Sequence, residues 1–153
     1  MRVTEQFTYD KYERFSDMAQ LDRELVVAAR EAARGSVSPY SHFSVGAAVR
    51  LSGGEVLSAA NVESEVYPQG LCAERTLLYF VAANYGGQQI EAMAVSSISS
   101  DEECYPCGAC RQTLLDVERR QGSPIRVVMA GSDSATIVES AALLLPFAFR
   151  LDK

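Results

Sequence analysis

The sequence lacks both an excess of positive charge and any long hydrophobic run. Its 14 lysine and arginine residues face 20 acidic residues, and the formal net charge is −6. Proteins that bind the phosphate backbone of nucleic acids usually have a basic face. The sequence shows no cluster of basic residues that would form one, so we expect no nucleic-acid partner. No apolar stretch approaches the roughly 18 residues that a membrane span requires, so we also expect no membrane partner.

The first residues, MRVTEQFTYDKYERF, lack the apolar core of a secretory signal peptide. We therefore expect a cytoplasmic protein whose thiols stay reduced. The chain has 153 residues, which suits one domain with a sizeable core. It has a single histidine, His42, but four cysteines. In a reducing compartment such cysteines indicate metal binding or catalysis rather than disulfides.

Hydrophobic periodicity predicts an α/β fold. Apolar residues at helical spacing begin near Leu21 and end before Gly35, which predicts a first helix. The further predictions are strands at 43–50, 56–60, 90–97, 125–130 and 135–138, and helices at 72–85, 108–119 and 140–144. Because strands alternate with helices after an opening hairpin, we expect a mixed sheet of about five strands sandwiched by helices in three α/β/α layers. Residues 1–17 are interpreted as an N-terminal extension, an edge strand or an arm, and residues 18–153 as a single domain.

Two cysteine-bearing segments lie at predicted helix starts. The first is LCAERT, with Cys72, and the second is CYPCGACRQ, with Cys107 and Cys110. The C-x-x-C spacing lets both sulfurs reach one ion from the first helical turn, and the positive end of the helix favours thiolate. Arg75 and Arg111 lie beside these cysteines, and we expect them to offset part of the thiolate charge.

Three interpretations of this cluster are open. A thioredoxin-type redox pair is expected after the first strand of a βαβ unit, whereas this C-x-x-C comes late. A closed structural zinc site would add Cys104 as a fourth ligand and leave no position for water. An open catalytic site would use three cysteines with Glu74 beside them, as in zinc nucleobase deaminases, which combine His or Cys, x-E and P-C-x-x-C. The chain supplies C-A-E and then P-C-G-A-C, which favours the open site.

An open site explains why these residue types occur together. Three protein ligands leave one position for water, and zinc lowers the pKa of that water from about 15.7 toward about 7. Glu74 is then the candidate proton shuttle, taking a proton from the water and delivering one to the departing amine. The alternative is that Glu74 is only an acidic residue in the first turn of a helix.

The segments SPYSHFSVGAAV, NVESEVYPQGLCAERT, PCGACRQTLLD and LLPFAF occur in an order that resembles the small, homotetrameric-type cytidine deaminases. The resemblance runs from about Leu21 to Phe149. It implies a cytidine deaminase fold over the predicted domain, with one Zn²⁺ per subunit held by Cys72, Cys107 and Cys110. It implies hydrolytic deamination of cytidine- or deoxycytidine-like nucleosides to uridine-like products and ammonia, in pyrimidine salvage. His42 receives no metal role.

The same resemblance implies contacts to the substrate and to other subunits. Phe43 would line the pyrimidine pocket, and Asn61 and Glu63 would hydrogen-bond the ribose hydroxyls. The family's oligomers, tetramers or possibly dimers, borrow residues from neighbouring subunits, and Phe147 and Phe149 are candidates for that role. The alternatives are core packing for Phe43, a solvated turn for Asn61 and Glu63, and an ordinary packed tail for the two C-terminal phenylalanines.

One segment departs from the family pattern. Where the family usually has N-V-E-N-A-S-Y-P, this chain has N-V-E-S-E-V-Y-P, which places Glu65 in a segment that lies against the base in the family. A carboxylate repels a carbonyl acceptor and favours a donor or a cation. Glu65 either turns away and leaves cytidine as the substrate, or it selects a modified or isomeric aminopyrimidine nucleoside, including blasticidin-type antibiotics. A non-catalytic zinc module with four cysteine ligands is a third hypothesis.

Overall fold

The structure, a computed structural model, describes residues 1–151 of the chain. Its strands are β1 (Asp10–Tyr12), β2 (Val45–Leu51), β3 (Val56–Ala60), β4 (Ile90–Ser97), β5 (Arg126–Ala130) and β6 (Ala135–Val138). Its α-helices are α1 (Gln20–Ala33), α2 (Ala73–Asn84) and α3 (Gly108–Gln121). The strands form one sheet in the order β1-β6-β5-β4-β2-β3. The β4–β5 pair is parallel and the other pairs are antiparallel, so the sheet is mixed.

The predicted fold class is confirmed, with two corrections. The sheet has six strands rather than about five, because Asp10–Tyr12 pairs with β6 along one edge. A strand of three residues is too short to show an alternating pattern in the sequence. The helix predicted at 140–144 is a single 3₁₀ turn, Ala141–Leu144. The domain boundary between residues 17 and 18 stays a prediction, and residues 152 and 153 of that domain lie outside the described part.

Helix α1 covers one face of the sheet. Its buried side chains Leu25, Val26 and Ala29 pack against small residues of the strands, among them Ala48 and Ala94. Small residues on both sides allow the helix and the sheet to approach closely.

The closest approach of α1 to the sheet is at Gly46 of β2. A Cβ atom at this position would lie 1.8 Å from the carbonyl oxygen of Ala29 and 2.7 Å from the backbone nitrogen of Ala33. Only glycine therefore fits where this strand crosses the helix.

Helices α2 and α3 cover the opposite face. Leu77 and Leu78 of α2 and Leu114 of α3 are buried with Val49 and Met93 of the central strands. The two helices begin at the same end of the sheet. As a result, the sulfurs of the cysteines at their starts lie within 4 Å of each other. No helix in the described range 1–151 is long and apolar enough to cross a membrane.

A buried carboxylate on α3 holds the C-terminal 3₁₀ turn. Glu118 is 9% exposed, and its oxygens accept hydrogen bonds from the backbone N–H groups of Ile125, Ala141 and Ala142 and from the hydroxyl of Ser140. A carboxylate that accepts several hydrogen bonds is well compensated for its burial. This residue therefore ties α3 both to the start of β5 and to the chain after β6.

Candidate active site and metal centre

Two helix starts bring three cysteines together. Cys72 is the N-terminal cap residue of α2, Cys107 is that of α3, and Cys110 lies in the first turn of α3. The Sγ atoms of Cys72 and Cys107 are 3.9 Å apart, those of Cys107 and Cys110 are 3.4 Å apart, and all three lie within 4.8 Å of one another. Cys110 is buried and Cys107 is exposed, so the cluster opens toward solvent on one side.

The spacing of these sulfurs fits a zinc ion. Zinc binds thiolate at about 2.3 Å with tetrahedral geometry, which places ligand sulfurs about 3.8 Å apart. The observed distances of 3.4 and 3.9 Å lie on either side of that value. Three soft sulfur donors are also a typical ligand set for zinc. The site therefore fits one Zn²⁺ per subunit.

Cys104 is not part of the cluster. Its side chain packs against the hydrophobic core beside α2 and α3. Within residues 1–151, the cluster of sulfurs close enough to share a metal ion consists of Cys72, Cys107 and Cys110 and does not include Cys104. Burial raises the pKa of the Cys104 thiol to about 12, with smaller contributions from the charges of Glu74 and Cys72. The position of the Cys104 sulfur outside the cluster favours three protein ligands over a closed site of four.

Glu74 lies in the first turn of α2, two residues after Cys72, and its side chain is only 4% exposed. Burial raises the pKa of Glu74 to about 7, and the negative charge on Cys72 adds to that effect. A carboxyl group with a pKa near neutrality exchanges protons readily at physiological pH. Its environment therefore suits a general acid and base.

The two arginines differ in what they contact. Arg75 points Nη2 at the Sγ of Cys72, 3.7 Å away, while its Nε is buried without a hydrogen-bond partner among the described atoms. The neighbouring Cys110 thiol and the Arg75 guanidinium lower the pKa of the Cys72 thiol to about 5, against the effect of burial. Arg111 instead donates to the carbonyl oxygens of Pro106 and Leu144, at 2.8 and 3.1 Å. The charge-offsetting role of both arginines stays a prediction.

A short backbone bridge connects the predicted substrate-contact residues to the metal ligands. Val62 exchanges two backbone hydrogen bonds with Leu71, the residue before Cys72, and lies beside Val37 on its other side. The 61–63 segment is thus held between the loop after α1 and the start of α2.

The side-chain amide of Asn61 makes most of its possible hydrogen bonds to other residues of the chain. Its Oδ1 accepts from the Ser36 hydroxyl at 2.6 Å and from the backbone N–H of Val45 at 2.9 Å, and its Nδ2 donates to the Phe43 carbonyl at 2.9 Å. One N–H of the amide has no partner among the described residues. Asn61 therefore shapes the loop before β2 and keeps one donor for a ligand.

Glu63 is arranged in a similar way. Its Oε1 accepts from the backbone N–H groups of Tyr40 and Ser41, and the hydrogen bonds from Ser41 and Tyr40 lower the pKa of its carboxyl against the effect of burial. Tyr40 and Tyr67 meet edge to face at 5.5 Å and line a pocket of about 360 Å³ with Glu63. Phe43 is 42% exposed, so it is not a core residue within this chain.

The remaining predicted positions lie at the surface. Glu65 is exposed. Phe147 is fully exposed and Phe149 is 72% exposed, so neither packs as part of the hydrophobic core. The roles of the predicted substrate contacts remain predictions.

Sequence analysis missed two groups of residues near the site. Ser36 shapes the loop before β2, and Glu103 anchors the loop before Cys107 through Lys11 and Thr136. Their partners are distant in the sequence, between 25 and 92 positions away. No local pattern of residues indicates such pairs.

Comparison with known proteins places these features in a family. Residues 19–122 match the family described as the cytidine and deoxycytidylate deaminase zinc-binding region. A probable cytidine deaminase of Dictyostelium discoideum is 35% identical over 122 residues, which cover 80% of this chain and 79% of that protein. A blasticidin-S deaminase of Bacillus cereus is 31% identical over 106 residues, 65% of this chain and 75% of that protein. The 1.6 Å crystal structure of cytidine deaminase from Burkholderia pseudomallei matches with a TM-score of 0.72 and 36% identity, covering 86% of this chain and 100% of that one.

The family match and the geometry agree. The matched range contains all three clustered cysteines and Glu74, and it covers more than half of the 153 residues. The resemblance inferred from the sequence motifs is thereby confirmed. The chain belongs to the cytidine deaminase family.

Proposed function

We propose that the protein is a zinc-dependent hydrolytic deaminase that converts cytidine- or deoxycytidine-like nucleosides to uridine-like products and ammonia. The observation that carries this conclusion is the buried Glu74 carboxyl beside three clustered cysteines at two helix starts. A structural zinc site has no need for a buried acid with a pKa of about 7. The curated relative and the solved structure at 35% and 36% identity support cytidine as the base.

In this mechanism Cys72, Cys107 and Cys110 hold the metal, and Glu74 moves the proton. Zinc, when bound, supplies Lewis-acid activation of water. Glu74 accepts a proton from the attacking water and passes it to the ring nitrogen of the base. It then takes the remaining proton from the hydroxyl now attached to the ring carbon and passes it to the departing amino group, so that the carbon becomes a carbonyl and ammonia leaves. The result is addition of one water and loss of one ammonia. Arg75 lies against Cys72 and offsets part of the thiolate charge.

The substrate contacts follow from the donors and acceptors that the loops leave free. The unpartnered N–H of Asn61 and the Oε2 of Glu63 suit the two hydroxyls of a ribose, since one donates and the other accepts. The exposed ring of Phe43 suits a pyrimidine face. Their side chains are held by the same contacts that fold the loops, which makes this surface ready for a ligand without large rearrangement.

We further propose a cytoplasmic homo-oligomer, a tetramer or possibly a dimer. Exposed aromatic side chains support this assembly, in particular Tyr67, Phe147 and Phe149, which are 73%, 100% and 72% exposed. Large exposed apolar groups are typical of interaction surfaces. The four cysteines are free thiols in the structure, as expected in a reducing compartment.

The alternative substrate, a modified aminopyrimidine nucleoside, is not favoured. The match to a blasticidin-S deaminase covers less of this chain than the match to the cytidine deaminase of Dictyostelium discoideum.

The test is ammonia release from cytidine by the zinc-loaded protein and by its Glu74→Gln variant. We expect the variant to keep its zinc, because Gln preserves the shape of the side chain and the three sulfurs are untouched. Its kcat is expected to fall by about 10²- to 10⁴-fold, since Gln cannot transfer the proton. The proposal fails if zinc-loaded wild type releases no ammonia from cytidine or deoxycytidine, or if Glu74→Gln retains full activity.

A further inference from the structure

The loop of residues 101–106 leads directly into Cys107 and is clamped on one side by the β5–β6 turn. The carbonyl oxygen of Asp101 accepts a hydrogen bond from the backbone N–H of Ser132 at 3.0 Å. A Cβ atom on Gly131 would lie only 2.4 Å from that same oxygen. The backbone N–H of Cys104 donates to the carbonyl of Ala130 at 3.3 Å. These contacts hold the first half of the loop.

A buried carboxylate anchors the middle of this loop. The side chain of Glu103 is 5% exposed, and its Oε1 pairs with Nζ of Lys11 at 2.5 Å. Its Oε2 accepts from the hydroxyls of Thr136 and Tyr105, at 2.7 and 2.9 Å. The carboxylate thus joins three elements, namely β1, β6 and the loop that leads to the metal ligand.

The cation of this network comes from the N-terminal segment. Lys11 is the middle residue of β1, and Tyr12 and Asp10 on either side of it pair with β6. The family match begins only at residue 19, so Lys11 lies in a part of the chain that the match does not include. The segment interpreted as an extension therefore supplies the charge that neutralises a buried acid four residues before Cys107.

We propose that Lys11 and Glu103 are positioning residues for the zinc site, and that the N-terminal strand holds the loop that sets the place of the Cys107 sulfur. The inference rests on the proposed zinc ligands but not on the substrate.

The physical reason is the burial of the carboxylate. Without Lys11, the Oε1 of Glu103 loses its charged partner, and the largely buried carboxylate is held only by the hydroxyls of Thr136 and Tyr105. A buried carboxylate that has lost its cation is less favourable than one that is paired. The carboxylate regains water by moving outward, and the loop moves with it. Because Cys107 is the next ligand along the chain and the most exposed of the three, its sulfur is the one displaced.

The experiment measures the first-order rate at which the zinc-loaded full chain transfers its metal to an excess of a chromophoric chelator. Lys11→Met is expected to release zinc about tenfold faster than wild type. This is the low end of the loss of metal affinity, about 10- to 100-fold, that follows when a residue that orients a metal ligand is removed. Lys11→Arg keeps the positive charge and is expected to restore most of the slow rate. Glu103→Gln is the second variant. It removes the ion pair but leaves no unpaired charge on the loop, so we expect it to accelerate release less than Lys11→Met does.

Two controls separate positioning from general destabilisation. Arg34→Met removes a cation from the exposed Arg34–Glu31 pair on α1, and it is expected to leave the rate within about twofold of wild type. Val26→Ala weakens the core on the face of the sheet opposite the cysteines. The proposal is overturned if Lys11→Met releases zinc at the wild-type rate. It is also overturned if Val26→Ala lowers Tm by the same amount as Lys11→Met and accelerates zinc release as much as Lys11→Met does. A wild type that binds zinc yet releases no ammonia contradicts the proposed function and leaves this test intact.

Discussion

Glu118 provides a stability test whose size follows from its contacts. The perturbation is Glu118→Ala, which removes the acceptor for the N–H groups of Ile125 and Ala141, both in buried hydrogen bonds of 2.8 and 2.7 Å. Each buried N–H left without a partner costs about 1–3 kcal/mol. The free energy of unfolding is therefore expected to fall by about 2–6 kcal/mol. The hydroxyl of Ser140 also loses its partner, but it can reorient.

Glu118→Gln is expected to cost less than Glu118→Ala. An amide keeps one acceptor oxygen, which can satisfy Ile125 and Ala141, but its NH₂ group then faces the N–H of Ala142. That N–H retains a second acceptor in the Ser140 hydroxyl at 3.3 Å, so the conflict is partly relieved.

The assay is urea unfolding followed by far-UV circular dichroism at one fixed protein concentration, with the change read from the midpoint at constant m-value. Asp116→Ala is the matched control, since Asp116 is an exposed carboxylate on the same helix, and we expect it to change stability by no more than about 0.5 kcal/mol. The reasoning is refuted if Glu118→Ala costs no more than Asp116→Ala.

Two further predictions concern the packing of α1 on the sheet and the residue Glu65. Gly46→Ala is expected to destabilise the fold by at least about 1–3 kcal/mol, because its Cβ would meet the Ala29 carbonyl at 1.8 Å. Gly87→Ala, whose Cβ meets nothing within 4 Å, is the control, and equal Tm values for the two variants would contradict the close packing. Glu65→Ala is expected to leave the ranking of kcat/KM for cytidine, deoxycytidine and isocytosine-type nucleosides unchanged, on the interpretation that this side chain turns away from the base. A reversal of that ranking would show that Glu65 selects the base.

Much of the fold could be predicted from local sequence patterns. The strands and helices of the central part have strong periodicity, so their existence and order were evident, and their ends agree to within about two residues. Residues 1–17 were interpreted as an edge strand or an arm, but the place of the strand at Asp10–Tyr12 could not be predicted, because it depends on pairing with β6, more than 120 residues later. Pairing of this kind leaves no mark in a three-residue stretch.

The metal site was predictable because its residues are grouped in two short motifs. Cys72 and Glu74 share one helix start, while Cys107 and Cys110 share the other, so only the meeting of the two helices had to be inferred. The exclusion of Cys104 was harder, since its distance from the other sulfurs depends on tertiary packing. The contact of Lys11 with Glu103 could not be predicted, because the two residues lie 92 positions apart in the sequence.

Whether the fourth zinc position is open decides between a catalytic and a closed site. Zinc content and ammonia release from cytidine should be measured together on Cys104→Ser and Cys107→Ser. We expect Cys104→Ser to keep zinc and activity, because its sulfur lies outside the cluster, and Cys107→Ser to lose both. If Cys104→Ser abolishes zinc binding as thoroughly as Cys107→Ser, the site has four protein ligands and the open-site mechanism is wrong.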